Sequence, residues 1–280
     1  MLALKIEVLE QKPLLIRLKI SGISLPLLNS VRRVIIAEVP TMAIDYVAFM
    51  ENSSVFYDEY VAHRLGLIPL TSDEALEKYK NPEECREAGE KGLFSEDCFV
   101  RLSLEGEGGD QVVTLYSESL VSSDPDVKPV FEKIPIVKLI KSQKVKLEAY
   151  ARLGRGREHI KWSPVSVAAH KYVPKILLNP KLCKSQDCLK CIEVCPKEVF
   201  EFREGEVRAK KEKVLDCTMC KLCENACPTG AVKIAHEEDE YVLTLELTGA
   251  LSAKNVLLES VKILEKKLDD FVSALKEKGV

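Results

Sequence analysis

The sequence of 280 residues is poor in the residues and patterns that most enzyme classes require. Its four histidines (His63, His159, His170 and His236) are scattered, so no cluster of histidine and carboxylate side chains predicts a catalytic site. No glycine-rich loop follows a predicted strand and opens a helix, which excludes the nucleotide-binding motifs built on such loops. Lys and Arg total 41 against 44 Asp and Glu, so the net charge of −3 gives no general attraction to nucleic acid.

Long apolar runs are also missing. No segment approaches the roughly 18 apolar residues that a membrane-spanning helix needs. The first residues alternate apolar and charged side chains and lack the apolar centre of a signal peptide. We therefore expect a cytoplasmic protein without membrane contact, in a compartment where clustered cysteines bind metal more often than they form disulfides.

Cysteine is concentrated in one region. Eight of the ten cysteines lie between residues 183 and 227, in two runs that repeat with an offset of 32 residues. The second run has the spacing C-x2-C-x2-C-x3-C-P of bacterial ferredoxins, in which the fourth cysteine ligates the other cluster. The expected ligands are Cys183, Cys188, Cys191 and Cys227 for the first cluster, and Cys217, Cys220, Cys223 and Cys195 for the second.

The first run departs from this motif because four residues, not two, separate Cys183 from Cys188. That departure puts Cys183 in question as a ligand, but not Cys188 or Cys191. We expect two [4Fe-4S] clusters, with a [3Fe-4S] form open for one of them. Zinc is the main alternative, since structural zinc sites use paired C-x2-C elements. Cys85 and Cys98 fit no cluster spacing and are interpreted as loop thiols, with a disulfide or a weak metal contact as alternatives.

Alternating apolar residues predict a hairpin over 4–10 and 14–20, and a second one that joins 99–104 to 111–116. Helical spacing from Leu28 predicts a helix that stops at Pro40. Ser252 is a good N-cap for a closing helix with a coiled-coil-like apolar seam, which needs its own sheet or a partner to cover it. The seam consists of Leu257, Val261, Leu264, Leu268, Phe271 and Leu275.

Eight basic side chains stand between residues 138 and 161, against Glu148 and Glu158. This basic segment has two open interpretations, a face for phosphates or acidic partners and a solvated strand-and-turn surface. Direct binding of nucleic acid is therefore one weak functional hypothesis. The cysteine repeat alone suggests another, a ferredoxin-type electron carrier or oxidoreductase subunit, although no flavin, nicotinamide or nucleophile site accompanies it.

Four spaced blocks resemble a known family. Residues 29–40 (NSVRRVIIAEVP) and 57–69 (YDEYVAHRLGLIP) are similar to the signature of the alpha subunits of cellular DNA-directed RNA polymerases. Residues 122–127 (SSDPDV) and 154–164 (GRGREHIKWSP) resemble further blocks of that family. The added ferredoxin-like insert resembles the archaeal members in particular, and the resemblance covers essentially the whole chain.

This resemblance implies an α+β fold with three domains. A dimerisation domain of an antiparallel sheet and two long helices would comprise 1–40, 166–177 and 237–280. A β-rich insert domain would span 41–165, and a ferredoxin-like two-cluster domain 178–236.

The family also implies a function in transcription. The chain would have no catalytic site of its own and would act as an assembly scaffold of a nucleotidyltransferase. It would pair with a smaller alpha-like subunit, called L, through the helix at 29–39 and the closing helix. Contacts to the small subunits N and P and to the large subunits are implied too, with DNA reached only through the assembled enzyme. Its clusters would be structural or regulatory.

Overall fold

The computed structural model describes residues 3–278, which form antiparallel sheets and seven α-helices. The helices are α1 Leu25–Ala37, α2 Asp58–Gly66, α3 Ala75–Lys78, α4 Pro82–Glu90, α5 Lys190–Glu193, α6 Leu222–Ala226 and α7 Ala253–Glu277. The strands are β1 Lys5–Lys12, β2 Leu15–Ser21, β3 Pro40–Asn52, β4 Phe99–Glu107, β5 Val113–Tyr116, β6 Val121–Ser122, β7 Pro135–Leu139, β8 Lys144–Arg155, β9 Val165–Leu178, β10 Phe200–Arg203, β11 Glu206–Ala209 and β12 Val232–Leu247.

The first sheet has the strand order β1-β2-β12-β9. The predicted N-terminal hairpin is confirmed, since β1 and β2 are neighbours in this sheet. Along β2, Ile16, Leu18 and Ile20 are buried and the residues between them are not, as the two-residue period of a strand with one covered face requires. The helix predicted from Leu28 is also confirmed as α1, which ends before Pro40.

The second sheet has the order β3-β8-β4-β6 and carries the largest apolar core of the chain. Strands β3 and β8 pair antiparallel along most of their length, with Met42 opposite Leu153. Gly154 is needed in β8 because a Cβ there would lie 2.3 Å from the ring of Trp162. The tryptophan is 3% exposed, and its Nε1 donates to the Arg152 carbonyl of β8.

The second predicted hairpin is wrong. Strand β4 pairs with β8 over nine positions, from Phe99 to Glu107, while β5 pairs with β7 in a separate two-stranded sheet. The β4–β8 ladder ends at Glu107, and at the next residue, Gly108, the chain passes close to the end of β7. A Cβ at Gly108 would lie 1.9 Å from the Ile140 carbonyl oxygen. The long β8 offers β4 a more extensive ladder than the short β5 could, although β8 lies much farther along the chain.

The interpretation of Cys85 and Cys98 as loop thiols is also wrong, and the alternative of a disulfide holds. Cys85 lies in α4 and Cys98 directly before β4, and the two are joined by a disulfide with a Cα–Cα distance of 5.1 Å. Both are buried beside Phe99 in a small apolar cluster against which Tyr46 and Tyr150 pack. The amphipathic helix α4 turns one cysteine inward, which spacing alone does not reveal.

The chain divides into two compact units. As far as they are described, the first contains residues 3–10, 17–25 and 169–244, and the second contains 11–16, 26–168 and 245–278. The three domain boundaries expected from the sequence remain a prediction. Among residues 3–278, no helix is long and apolar enough to cross a membrane.

Candidate iron–sulfur centre

The cysteine-rich segment lies between β9 and β12 in the first unit. Two short helices carry equivalent cysteines of the repeat, Cys191 in α5 and Cys223 in α6, and both are buried. A hairpin joins the two runs, with Phe200 of β10 opposite Ala209 of β11. Apart from these cysteines, the apolar cluster against which the segment packs has five buried residues, the last two of them from β12, namely Val199, Phe200, Val207, Val232 and Ile234.

Backbone N–H groups point at three of the cysteine sulfurs. Ser185 N donates to Cys183 Sγ at 3.4 Å, and Met219 N donates to Cys217 Sγ at the same distance. Val199 N donates to Cys195 Sγ at 3.5 Å. Hydrogen bonds of this kind are typical of the thiolate ligands of iron–sulfur clusters, whose reduction potential they help to set.

Cys183 corresponds to Cys217 in this geometry. In both runs the donor is the residue two positions on, and both donors, Ser185 and Met219, have a left-handed backbone with φ of 45° and 54°. The two extra residues of the first run fall in a 3-10 turn, Ser185–Asp187, directly before Cys188. The insertion that put Cys183 in question is thus absorbed locally, and the sulfur keeps the hydrogen bond of its counterpart.

Electrostatic neighbours divide the cysteines into two groups. Burial raises the pKa of Cys191, and the nearby Cys183 and, less strongly, Cys227 raise it further. Burial likewise raises the pKa of Cys223 to about 11, with additional contributions from Cys195 and Cys217. Each group contains cysteines of both runs, as the crossover of a two-cluster ferredoxin requires. Buried thiols stay neutral without a cation, so the thiolates that bind iron are stabilised by the metal itself.

The remaining predicted ligands lie nearer the surface. Burial opposes ionisation of Cys227, but its contact with the Thr229 hydroxyl, at 3.7 Å, and nearby N–H groups hold its pKa below the usual range. Cys188 is partly buried, whereas Cys220 is exposed. Sequence patterns give no indication of Thr229 as a partner.

The donor set fits a cluster. A zinc ion needs all of its ligands about 2.0–2.3 Å from one point, whereas a cubane takes each sulfur at a separate corner. Within residues 3–278, no three His, Cys, Asp or Glu side chains converge closely enough to hold a single ion. All eight cysteines offer sulfur donors, as iron–sulfur clusters require, and the division of these cysteines into two ligand sets remains a prediction.

One further contact to this segment comes from outside it. Lys171 of β9 donates hydrogen bonds from Nζ to the carbonyl oxygens of Leu215 and Cys217, the latter at 3.2 Å. Sequence patterns do not indicate this residue, because it precedes Cys217 by 46 positions and belongs to no cysteine spacing.

The basic segment at 138–161 is largely neutralised. Seven of its eight basic residues pair with carboxylates, which leaves the solvated-surface interpretation in better agreement with the structure than a phosphate-binding face. These pairs are Lys141–Asp110, Lys144–Glu107, Lys146–Glu105, Arg152–Asp45, Arg155–Glu83, Arg157–Glu83 and Lys161–Asp45.

Two family models match the chain. Residues 46–169 match the RNA polymerase Rpb3/RpoA insert domain, and residues 182–231 match the 4Fe-4S dicluster domain. The first covers the second sheet and its core, and the second covers both cysteine runs. Iron–sulfur cluster binding is therefore a property of the domain to which the cysteines belong.

Similar proteins extend over almost the whole chain. A protein of Aeropyrum pernix named DNA-directed RNA polymerase subunit Rpo3 is 38% identical over 98% of this chain and 96% of its own length. Proteins of the same name from Pyrobaculum calidifontis and Archaeoglobus fulgidus are each 39% identical over 98% of both chains. The chain belongs to the Rpo3 family of archaeal RNA polymerase subunits. The resemblance to the alpha-subunit family is confirmed, and so are the α+β fold class and the role in transcription.

Membership of the Rpo3 family resolves the choice between the functional hypotheses. An electron carrier was suggested by the cysteine repeat alone, and the full-length similarity to a polymerase subunit does not favour it. The cluster domain is thus one part of a subunit of a multisubunit polymerase.

Proposed function

We propose that this chain nucleates RNA polymerase assembly by pairing with the smaller alpha-like subunit L through α1 and the second half of α7. The observation that carries the proposal is an apolar seam without cover on α7. From Val261 to Lys278 none of the side chains of this helix is buried. Leu268 is 64% exposed and Phe271 62% exposed, whereas Val256 and Ser260, nearer the start, are buried.

The seam lies close to α1 in the second unit. Lys267 of α7 forms an ion pair with Glu38, the residue that follows α1. Leu27 of α1 is 52% exposed, so this helix also contributes apolar surface. An apolar side chain buried against a partner contributes about 1.5–3 kcal/mol relative to an exposed one, and several together stabilise a permanent heterodimer.

The test is co-expression with an L-type subunit. The wild-type chain should form a stable heterodimer, and Leu268→Asp with Phe271→Asp should lower the yield of heterodimer at least about tenfold, since the two carboxylates would be buried in an apolar interface. The matched control is Val112→Asp, which changes a 60% exposed valine between β4 and β5. A double variant that still pairs like the wild type would contradict the proposal.

The large subunits are proposed to contact an aromatic patch formed by Val55, Phe56, Tyr57 and Tyr60. Val55 is 76% exposed and Tyr57 is 83% exposed, while Phe56 and Tyr60 stack with ring centroids 4.5 Å apart. Exposed aromatic side chains fixed in this way are typical anchors of protein interfaces. The proposal extends to contacts with the small subunits N and P and to a cytoplasmic location with the polymerase.

The cluster domain is proposed to hold two [4Fe-4S] clusters that stabilise it and make assembly depend on iron. The ligands would be the two predicted sets, and the paired neighbours of Cys191 and Cys223 support this division. When bound, each cluster would supply four iron–thiolate bonds that cross-link the two runs. Iron and sulfide counting with EPR on anaerobically purified protein tests the number and type of the clusters.

A further inference from the structure

Lys171 contacts the second cysteine run but belongs to no motif. It lies on β9, within the same compact unit as the run, and is only partly exposed. Its ammonium group binds the carbonyls of Leu215 and Cys217, two residues apart, the second at 3.2 Å. Asp216 is near enough to interact with this ammonium group electrostatically, but the hydrogen bonds of the group go to the two backbone carbonyls, and such charge-assisted bonds are strong enough to hold a loop in place.

These hydrogen bonds fix the orientation of Cys217. Its carbonyl oxygen accepts from Lys171, while its sulfur accepts from Met219 N at 3.4 Å. The chain reaches Cys217 directly from a 3-10 turn, Lys211–Asp216, and leaves it through the left-handed Met219. Cys217, held at its carbonyl by Lys171, lies close enough to Cys223 to interact with it electrostatically, as does Cys195.

The first run is held in a different way. Its corresponding residue, Cys183, donates its N–H to the carbonyl of Asn179, and the Asn179 side chain in turn accepts from Lys181 N. These are neutral hydrogen bonds from residues just before the run. Cys217 N makes the equivalent neutral bond to the Val214 carbonyl, and the second run receives in addition a cation from a sheet strand. A hydrogen bond from a charged donor is stronger than a neutral one, and its positive charge acts on nearby anions.

We propose that Lys171 is a positioning residue for the cluster of Cys195, Cys217, Cys220 and Cys223, whose ligand loop it anchors and whose negative charge it partly offsets. The inference rests on the assignment of these four cysteines to one cluster under the proposed function. Four thiolates give a [4Fe-4S] cluster a net negative charge, and a nearby cation stabilises the more negative, reduced form. Lys171 should therefore raise the reduction potential of this cluster and slow its loss of iron.

The experiment compares Lys171→Met, Lys171→Arg and the control Lys175→Met in the full chain, purified without oxygen. Lys175 is on the same strand, exposed and paired with Glu237, so the control removes a lysine without touching the cysteine runs. Redox titration followed by EPR gives the midpoint of each cluster, and iron analysis during exposure to air gives the rate of loss. Circular dichroism of each variant checks that the sheets remain folded.

We expect K171M to shift the midpoint of one cluster to a more negative value and to lose the iron of that cluster on the order of tenfold faster, as removal of a charge-assisted hydrogen bond implies. K171R should keep a midpoint near that of the wild type because it keeps the charge, and K175M should change neither quantity. An unchanged midpoint and rate in K171M would overturn the role of Lys171. A wild-type chain that binds zinc, or no iron, would instead overturn the cluster assignment itself.

Discussion

At the scale of single residues, Asp45 is the centre of a largely buried group of ion pairs. Arg152, 3% exposed, donates from Nε to Asp45 Oδ2 at 2.8 Å, and Lys161 Nζ lies 2.6 Å from Asp45 Oδ1. Both cations lie over the ring of Trp162, at 4.4 and 4.3 Å from its centroid. Burial alone would raise the pKa of Asp45, but its bonds to Lys161 and then Arg152 outweigh burial and hold it below its usual range.

Replacing this carboxylate should be costly. Asp45→Asn would leave Lys161 without its anion and the buried Arg152 with Glu158 alone, and the free energy of unfolding should fall by about 3 kcal/mol. Urea denaturation at neutral pH measures the change. The matched control is Asp110→Asn, whose pair with Lys141 is largely exposed and whose loss should cost less than about 1 kcal/mol. Equal effects of the two substitutions would contradict this account of Asp45.

The same carboxylate determines a pH dependence. The pKa of Asp45 is lower in the folded than in the unfolded chain. Its contribution to the free energy of unfolding is therefore fully present above its unfolded pKa of about 4, and this contribution is lost as the pH falls through its folded pKa. The wild-type chain should therefore lose stability more steeply than Asp45→Asn as the pH falls below about 4. Parallel stability curves for the two proteins would show that Asp45 is not the group responsible.

At the scale of elements, the start of α7 is held by two capping side chains. Its N-cap, Ser252, accepts from Asn255 N at 3.3 Å, as the sequence predicted. Asp73 adds a second cap, since it accepts from Ser252 N at 3.0 Å and from Asn255 Nδ2 at 2.7 Å. The N-terminus of the helix is therefore fixed by hydrogen bonds, whereas its apolar seam from Val261 onwards is not buried.

Removal of the Asp73 cap should destabilise the first turns of α7. Asp73→Ala is expected to lower the free energy of unfolding by about 1–2 kcal/mol, the range measured for lost N-caps, and to speed amide exchange in the first turns of α7. Hydrogen exchange with mass spectrometry locates the effect. Glu74→Ala is the control, because it removes an exposed neighbour that makes no side-chain cap contact. Exchange that is equally slow in both variants would show that Ser252 suffices.

Local patterns predicted these elements well where neighbours in sequence are also neighbours in space. The N-terminal hairpin, α1 and the seam of α7 depend on periodicity within about 25 residues, which the sequence displays directly. The pairing of β4 with β8 and the joining of Cys85 to Cys98 depend on tertiary packing, so the predicted hairpin and the loop thiols were wrong.

The candidate site shows the same division. Repeat spacing indicated which cysteines stand in equivalent places, because the tight loops of a cluster site are local. The hydrogen bond that makes Cys183 equivalent to Cys217 depends on the left-handed φ of Ser185. A serine at this position does not predict that conformation. Lys171 approaches from β9, so only the folded sheet brings it to Cys217.

At the scale of the whole molecule, the two units draw on different sources of stability. The second has a large core on the β3-β8-β4-β6 sheet together with the disulfide between Cys85 and Cys98. In the cysteine-rich segment of the first, two of the seven buried core residues, Cys191 and Cys223, are proposed ligands. Small modules with so few apolar residues generally need metal to fold.

Iron removal should therefore act on one unit. After anaerobic treatment with a chelator, amide exchange should become fast across residues 179–231, while β3 and β8 keep their protection. Cys183→Ser should speed amide exchange in this segment less than complete removal of iron does. About half of the iron should be retained, as expected when one of two clusters is lost. Hydrogen exchange and iron analysis together measure both effects. Unchanged exchange in the iron-free segment would show that the clusters have no structural role.

The order of strands in the first sheet has a consequence for how the chain is made. In β1-β2-β12-β9, the strand next to β2 is β12, which ends at Leu247. During synthesis, the first hairpin must wait until roughly 200 later residues have left the ribosome before its neighbour exists. The sheet β3-β8-β4-β6 needs nothing beyond residue 155 and can fold earlier. Both cysteine runs also emerge before β12 is complete and before the seam helix α7, so all eight proposed ligands leave the ribosome ahead of the surface proposed to bind the partner subunit.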